Sequence, residues 1–276
     1  MTRGGVGSCR STLNVAVLQA TSPVDHDVDN LTYLSSQVAA ARDLGAQLLV
    51  TPELFIASYN PPAVRDRDGA EHREQIAAMA DEYGIGIVAS TVEHAGTDRH
   101  ISASLFGVDG TEITRYRKVH LFGEAERAAF TPGTTAPEIV EFLGVRVALG
   151  ICFDVEFPEF VRAAAVAGAE LLCIPTAVPL RAAEGYGANP FDARLVPAMV
   201  VPTRALESQL FIAYANHAGP QFAGLSTVAD PYGRRLAIAD GDNCDLIVAE
   251  VSMATLDQAR RDTDYLGSAS ITGRLG

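Results

Sequence analysis

Apolar stretches of strand length alternate along this chain with segments whose apolar positions recur every three or four residues, the rhythm of a layered α/β protein. Residues 13–20 open the pattern as a strand that stops before Ser-Pro. Residues 29–44 follow as a helix, with Leu31, Leu34, Val38 and Ala41 on one face and Gly45 at its end. Residues 47–51 are a short buried strand, and 70–83 predict a second helix stopped by Gly84. Residues 86–92, 102–108 and 112–117 predict strands, the last two joined by an Asp109-Gly110 turn.

The second half repeats the rhythm. Residues 138–142 and 145–149 flank Gly144 as a hairpin, 158–167 predict a helix, and 171–175 a buried strand. Residues 193–208 are helical in pattern but carry Pro197 and Pro202, which predicts a kink or two shorter helices. Strands at 210–215, 226–229 and 245–251 complete the set, with a turn at Pro231-Tyr232-Gly233. No repeat or linker marks an internal boundary. The expectation is one α/β domain over residues 12–267, with tails at 1–11 and 268–276.

A chain of 276 residues buries roughly three quarters of the surface that it exposes when unfolded, enough for one large core. The net charge of −13 changes the picture of partners: no dense Lys/Arg stripe is available for a phosphate backbone, so nucleic acid is not expected. No apolar run is long enough to span a membrane, and the first ten residues lack the apolar centre of a secretory signal. Cys9, Cys152, Cys173 and Cys244 form neither a CxxC pair nor a disulfide framework. A soluble, cytoplasmic protein is the expectation.

Three segments place a reactive side chain at the end of an apolar run: LLVTPELF with Glu53, YRKVHLFGEAERAAFTPG with Lys118 and Glu126, and VALGICFDVEFPE with Cys152. Strand ends in α/β proteins line the crevice where ligands bind, so residues this far apart in sequence can meet. Taken singly, each has an ordinary explanation. Cys152 passes for a small core hydrophobe, Glu53 for a loop carboxylate, Lys118 for part of a basic patch, and Glu126 for a helix-surface acid. Gly150 before Cys152 and a helix beginning near Pro158 make a strand–turn–helix setting in which a thiol stands clear of the sheet. Cys173, inside LLCIP, is the contrasting buried and inert thiol.

With these motifs in order, the sequence resembles the nitrilase, or carbon–nitrogen hydrolase, superfamily from Leu13 to about Leu266. The resemblance rests on Pro52-Glu53-Leu54-Phe55, on Tyr116-Arg117-Lys118-Val119-His120-Leu121, and on residues 150–159 around Cys152. Further echoes are Phe130-Thr131-Pro132-Gly133, Tyr214-Ala215-Asn216 and Asp230-Pro231-Tyr232-Gly233. It implies a four-layer α-β-β-α sandwich and a Cys152–Glu53–Lys118 triad with Glu126 as an accessory carboxylate. It also implies no metal or organic cofactor, and assembly as a homodimer or larger homo-oligomer. Chemically, Lys118 is expected to favour the Cys152 thiolate while Glu53 takes the proton. Tyr59, Phe153, Thr176, Ala177 and Val178 are expected to line the pocket of a small, mostly apolar amide, the substrate partner alongside water. Nitrile, ω-amide and N-carbamoyl substrates stay open, as does a fold that has lost its activity. A Cys–His hydrolase would need His120 or His217 beside the thiol, and a metal-dependent amidohydrolase would need clustered histidines that the sequence does not show.

Overall fold

The chain, described by a computed structural model over residues 11–180 and 191–272, builds its first half from β1 (Thr12–Gln19), α1 (Asp27–Asp43), β2 (Leu48–Val50), α2 (Pro61–Val64), α3 (Ala70–Tyr83), β3 (Gly86–Ala95), β4 (Asp98–Phe106), β5 (Glu112–Arg117) and α4 (Gly123–Ala129). The second half contributes β6 (Val140–Phe142), β7 (Val145–Leu149), α5 (Pro158–Val166), β8 (Leu171–Pro175), α6 (Val201–Ser208), β9 (Phe211–Ala215), β10 (Thr227–Ala229), β11 (Arg235–Ile238), β12 (Asp245–Ser252), α7 (Met253–Asp262) and α8 (Tyr265–Thr272). Most of the expected tail at 1–11, with Cys9, lies outside the described residues, as do 273–276.

Among the described residues the strands form two six-stranded sheets, ordered β12-β1-β2-β3-β4-β5 and β11-β10-β9-β8-β7-β6. Period-two alternation explains the layering. In β1, Val15 and Val17 join the core between the sheets, whereas Ala16 and Leu18 face outward. The outward set is covered by Leu34, Val38 and Ala41 of α1 and by Ile76 and Ala80 of α3. Phe160, Val161 and Ala164 of α5 and Val201 and Ala205 of α6 pack against the second sheet. The result is the expected α-β-β-α sandwich.

β1, β2 and β3 run parallel to one another, as do β7, β8 and β9. An isolated parallel bridge, Ala20 to His217, joins the continuation of β1 to that of β9, so the two sheets meet at their C-terminal ends. The Pro-rich stretch resolves as two short helical pieces: Val196–Val200 is a π-helical turn in which the Val201 N–H reaches Val196 O, and α6 begins directly behind it. Pro197 and Pro202 each sit in the first turn of their element, where a missing N–H is tolerated. β11, α2, α7 and α8 were not expected from the pattern, and α8 runs from Tyr265 through Thr272 into the expected C-terminal tail at 268–276.

Candidate active site

Glu53, Lys118 and Cys152 leave the sandwich at C-terminal strand ends, whereas Glu126 projects from α4. Glu53 follows β2, Lys118 follows β5, Cys152 follows β7, and Ala177 follows β8. Main-chain bonds fix these ends. Glu53 N donates to Thr176 O at 3.1 Å, tying the two sheets together, and Gly133 N donates to Lys118 O at 2.7 Å. A Cβ on Gly133 would lie 2.3 Å from Arg117 O, so only glycine allows this approach. Gly150 likewise passes against Ile174 and Phe160, where a Cβ would meet ring and side-chain carbons at 2.9 and 2.7 Å.

The four heads gather in one closed cluster. Lys118 Nζ donates to Glu53 Oε1 and to Glu126 Oε1, each at 2.8 Å, and all three side chains are buried. Glu126 also accepts from the Tyr59 hydroxyl at 2.6 Å and from Phe122 N at 2.7 Å. It is therefore not a helix-surface acid. Glu53 Oε2 has no hydrogen bond of ordinary geometry, yet the Cys152 thiol is close enough to favour the charged form of that carboxylate. The thiol itself donates to Ala177 O at 3.6 Å. Cys152 adopts φ +46°, a left-handed conformation rare for a non-glycine residue and typical of functional turns.

Electrostatics differ from the expectation at one point. Burial drives the Cys152 pKa well above the ordinary thiol value, and the Glu53 charge adds to this while Lys118 opposes it. Burial thus favours the thiol form of Cys152 over the thiolate, and the opposing Lys118 charge does not offset it. Burial also pushes Glu53 up to about 8, with Lys118 pulling down and Glu126 pushing further up. Burial works to depress Lys118, but Glu53 and Glu126 outweigh it and hold the ammonium above its usual pKa. Cys173 is fully buried with its pKa raised by burial alone, the inert contrast that its sequence suggested.

The expected pocket residues divide by role. Tyr59 faces Glu126, and its ring meets Phe222 edge-on at 6.3 Å. Beside them lies a cavity of about 260 Å³, lined by Tyr59, Phe122, Glu124, Pro179, Gln221 and Phe222 among others. Phe153 packs edge-to-face on Phe122 and Phe157. Thr176 and Ala177 meet the cluster through carbonyl oxygens, and Val178 N is held by Asn216 Oδ1 at 3.0 Å. Neither histidine pairs with the thiol. His120 Nδ1 donates to Asp154 at 2.8 Å, and His217 Nε2 donates to Glu53 O at 2.7 Å. Burial lowers the His217 pKa to about 4, so the ring is neutral. Among the described residues no three His, Cys, Asp or Glu side chains gather as a metal site, and no helix is long and apolar enough to cross a membrane. The sequence assigned no role to Gln221, Phe222 or Asp154, although Asp154 stands in the motif around Cys152, two residues after the candidate nucleophile.

The carbon–nitrogen hydrolase family model matches residues 14–261, nearly the whole chain. The protein is a carbon–nitrogen hydrolase. A relative from Pseudomonas protegens, named hydrolase in pqqF 5'region, is 32% identical over 92% of this chain and 88% of its own length. Among solved structures, a variant of the amidase from Nesterenkonia sp. AN1, carrying a covalent acetamide moiety at its active-site cysteine, superposes with a TM-score of 0.80 at 35% identity over 94% of this chain and 97% of that one. Another variant of the same amidase, in complex with butyramide, gives a TM-score of 0.79 at 34% identity over 91% of this chain and 95% of that one. This carbon–nitrogen hydrolase is thus an amidase of the nitrilase superfamily, a hydrolase acting on amides.

Proposed function

We propose that this amidase hydrolyses short, neutral, mostly aliphatic amides to the carboxylic acid and ammonia through a Cys152 thioester. The observation that carries this is the buried cluster in which the Lys118 ammonium bridges Glu53 and Glu126 beside the Cys152 thiol. Glu53, its pKa raised by burial to about 8, is a stronger base than an ordinary carboxylate. As Sγ bonds to the amide carbonyl carbon, the thiol proton passes to Glu53. The oxyanion is held by Lys118 Nζ and by the Phe153 N–H, one of the opening amides of the helical turn Cys152–Glu156. One such donor is worth about 3 kcal/mol. Collapse breaks the carbon–nitrogen bond, and Glu53 returns the proton to the departing nitrogen, which leaves as ammonia. Glu53 then deprotonates a water that attacks the thioester, and sulfur departs with the proton restored. Glu126, through its bond to Lys118, keeps the ammonium aimed at the reacting oxygen.

The described lining of the cavity argues for a neutral substrate. It holds aromatic rings, proline and an amide, with Glu124 as its charge and no Lys or Arg among the described lining residues. A carboxylate-bearing amide would meet a like charge there without a cation to pair with. Butyramide in the similar amidase supports an acyl group of this size. An ammonia-release assay over acetamide to hexanamide, a nitrile, an N-carbamoyl amino acid and an ω-amide tests the reading, with Cys152→Ala as control and EDTA in a parallel series. Preference for the charged amides, a Cys152→Ala variant at parental rate, or loss of activity to EDTA would each overturn it.

A further inference from the structure

The geometry assigns Asp154 as a positioning residue that locks the Cys152 turn to the Lys118 strand end; the inference rests on the reaction proposed above. Asp154 is fully buried and accepts four hydrogen bonds. Oδ2 takes Ile151 N at 2.9 Å and the Tyr116 hydroxyl at 3.0 Å. Oδ1 takes His120 N at 3.0 Å and His120 Nδ1 at 2.8 Å. Three of these donors come from Tyr116 and His120, two residues to either side of Lys118, and the fourth, Ile151 N, immediately precedes Cys152. The Tyr116 hydroxyl in turn accepts Val119 N at 3.2 Å, so both peptides after Lys118 are tied to this centre.

The same residue closes the turn that carries the sulfur. Asp154 N donates to Ile151 O at 3.0 Å while Ile151 N returns to Asp154 Oδ2, so a reciprocal pair encloses Cys152 in its left-handed conformation. His120 is seated by its ring, stacked on Phe157 at 3.9 Å. Lys118 belongs to the edge of one sheet and Cys152 to the other, and Asp154 bonds to both. A carboxylate presents two oxygens with room for four donors, which the site fills. Asparagine would keep one oxygen and turn an NH₂ toward two donors, so the clamp requires aspartate. Thiol and ammonium must act on one carbonyl together, and misplacement by about 1 Å costs on the order of 100-fold in rate.

The test uses the full-length chain with Asp154→Asn, Tyr116→Phe, His120→Gln and Cys152→Ala. It reads kcat and KM on the preferred amide, and the rate of Cys152 alkylation by iodoacetamide against pH. Asp154→Asn is expected to lower kcat about 100-fold with KM within about threefold, and Tyr116→Phe to lower kcat about tenfold at a near-parental melting temperature. Both should change the pH profile of Cys152 alkylation, which a purely structural role leaves in place. Parental kcat and alkylation in folded Asp154→Asn would overturn the assignment. Should that variant not fold, parental values in Tyr116→Phe and His120→Gln overturn it equally. An active Cys152→Ala enzyme would instead overturn the reaction itself, whereas an inactive one beside a parental Asp154→Asn refutes the clamp alone.

Discussion

Lys118 Nζ lies 2.8 Å from Glu53 Oε1, with both side chains sealed from solvent and drawn from strand ends 65 residues apart. A buried ammonium of this kind is stable only while its carboxylates remain, and they only while it remains. Lys118→Met is therefore expected to abolish ammonia release and also to destabilise the fold by roughly 3–5 kcal/mol, less whatever Glu53 recovers by taking up a proton. Urea titration monitored by circular dichroism checks the second half; a stable, inactive variant would show that the ammonium serves chemistry alone.

Glu126→Gln should keep the fold and lower kcat about 100-fold, because an amide cannot accept from Lys118, Tyr59 and Phe122 together. Unaltered kcat would remove Glu126 from the machinery. Tyr59→Phe, which deletes one of those donors, should have a smaller effect of the same sign.

The activity should rise with pH. Glu53 must be ionised to accept the thiol proton, and burial holds its pKa at about 8. The acid limb of kcat/KM is expected to climb toward a plateau above that value, in a profile measured by ammonia release across pH 5.5–9.5. A flat profile over that range would contradict the role of Glu53 as base.

Stability should follow the opposite course. Because the folded pKa of Glu53 lies above its unfolded value of 4.5, the folded state holds a proton that the unfolded state has lost between pH 4.5 and 8. Stability from this group therefore falls as pH rises through that window, by up to about 1.4 kcal/mol per unit. His217 acts in reverse: its folded pKa of about 4 lies below the unfolded 6.5, so its contribution is lost as pH falls through that interval. Melting curves of the parent and Glu53→Gln over pH 5–9 check the sign. The variant should lose the decline above pH 6.5, and an unchanged decline would assign it elsewhere.

Iodoacetamide should label Cys152 in a substrate-protected manner, label Cys244 irrespective of substrate, and spare Cys173. Cys244 is exposed, whereas Cys173 is wholly enclosed. Peptide mapping with and without a short amide distinguishes the three; protection at Cys244 alone would point away from the proposed nucleophile.

The layers were legible in the sequence because β1, β8 and β9 are nearly continuous apolar runs and α1 and α3 repeat at helical spacing. β11 was hidden because its four residues alternate half-buried with exposed, and β4 begins earlier than expected because Asp98 and Arg99 are polar yet already paired with β3. Glu53, Lys118, Glu126 and Cys152 could be named because each sits in a compact motif. Their partners could not. The Tyr59–Glu126 bond spans 67 residues and the His217–Glu53 bond 164, distances over which only the folded sandwich specifies who meets whom. The upward shift of the Cys152 pKa was also out of reach, since it comes chiefly from burial that only the folded sandwich creates.

The short parallel bridge between Ala20 and His217 gives the sandwich a hem, reinforced by Ala218 N donating to Ala20 O at 3.0 Å. His217 is stitched at the same point to the main chain of Glu53. If the hem frays, Glu53, the proposed base, loses its anchor while both sheets remain largely intact. Heat inactivation of this amidase should then begin with a local loosening, ahead of the collapse of its secondary structure.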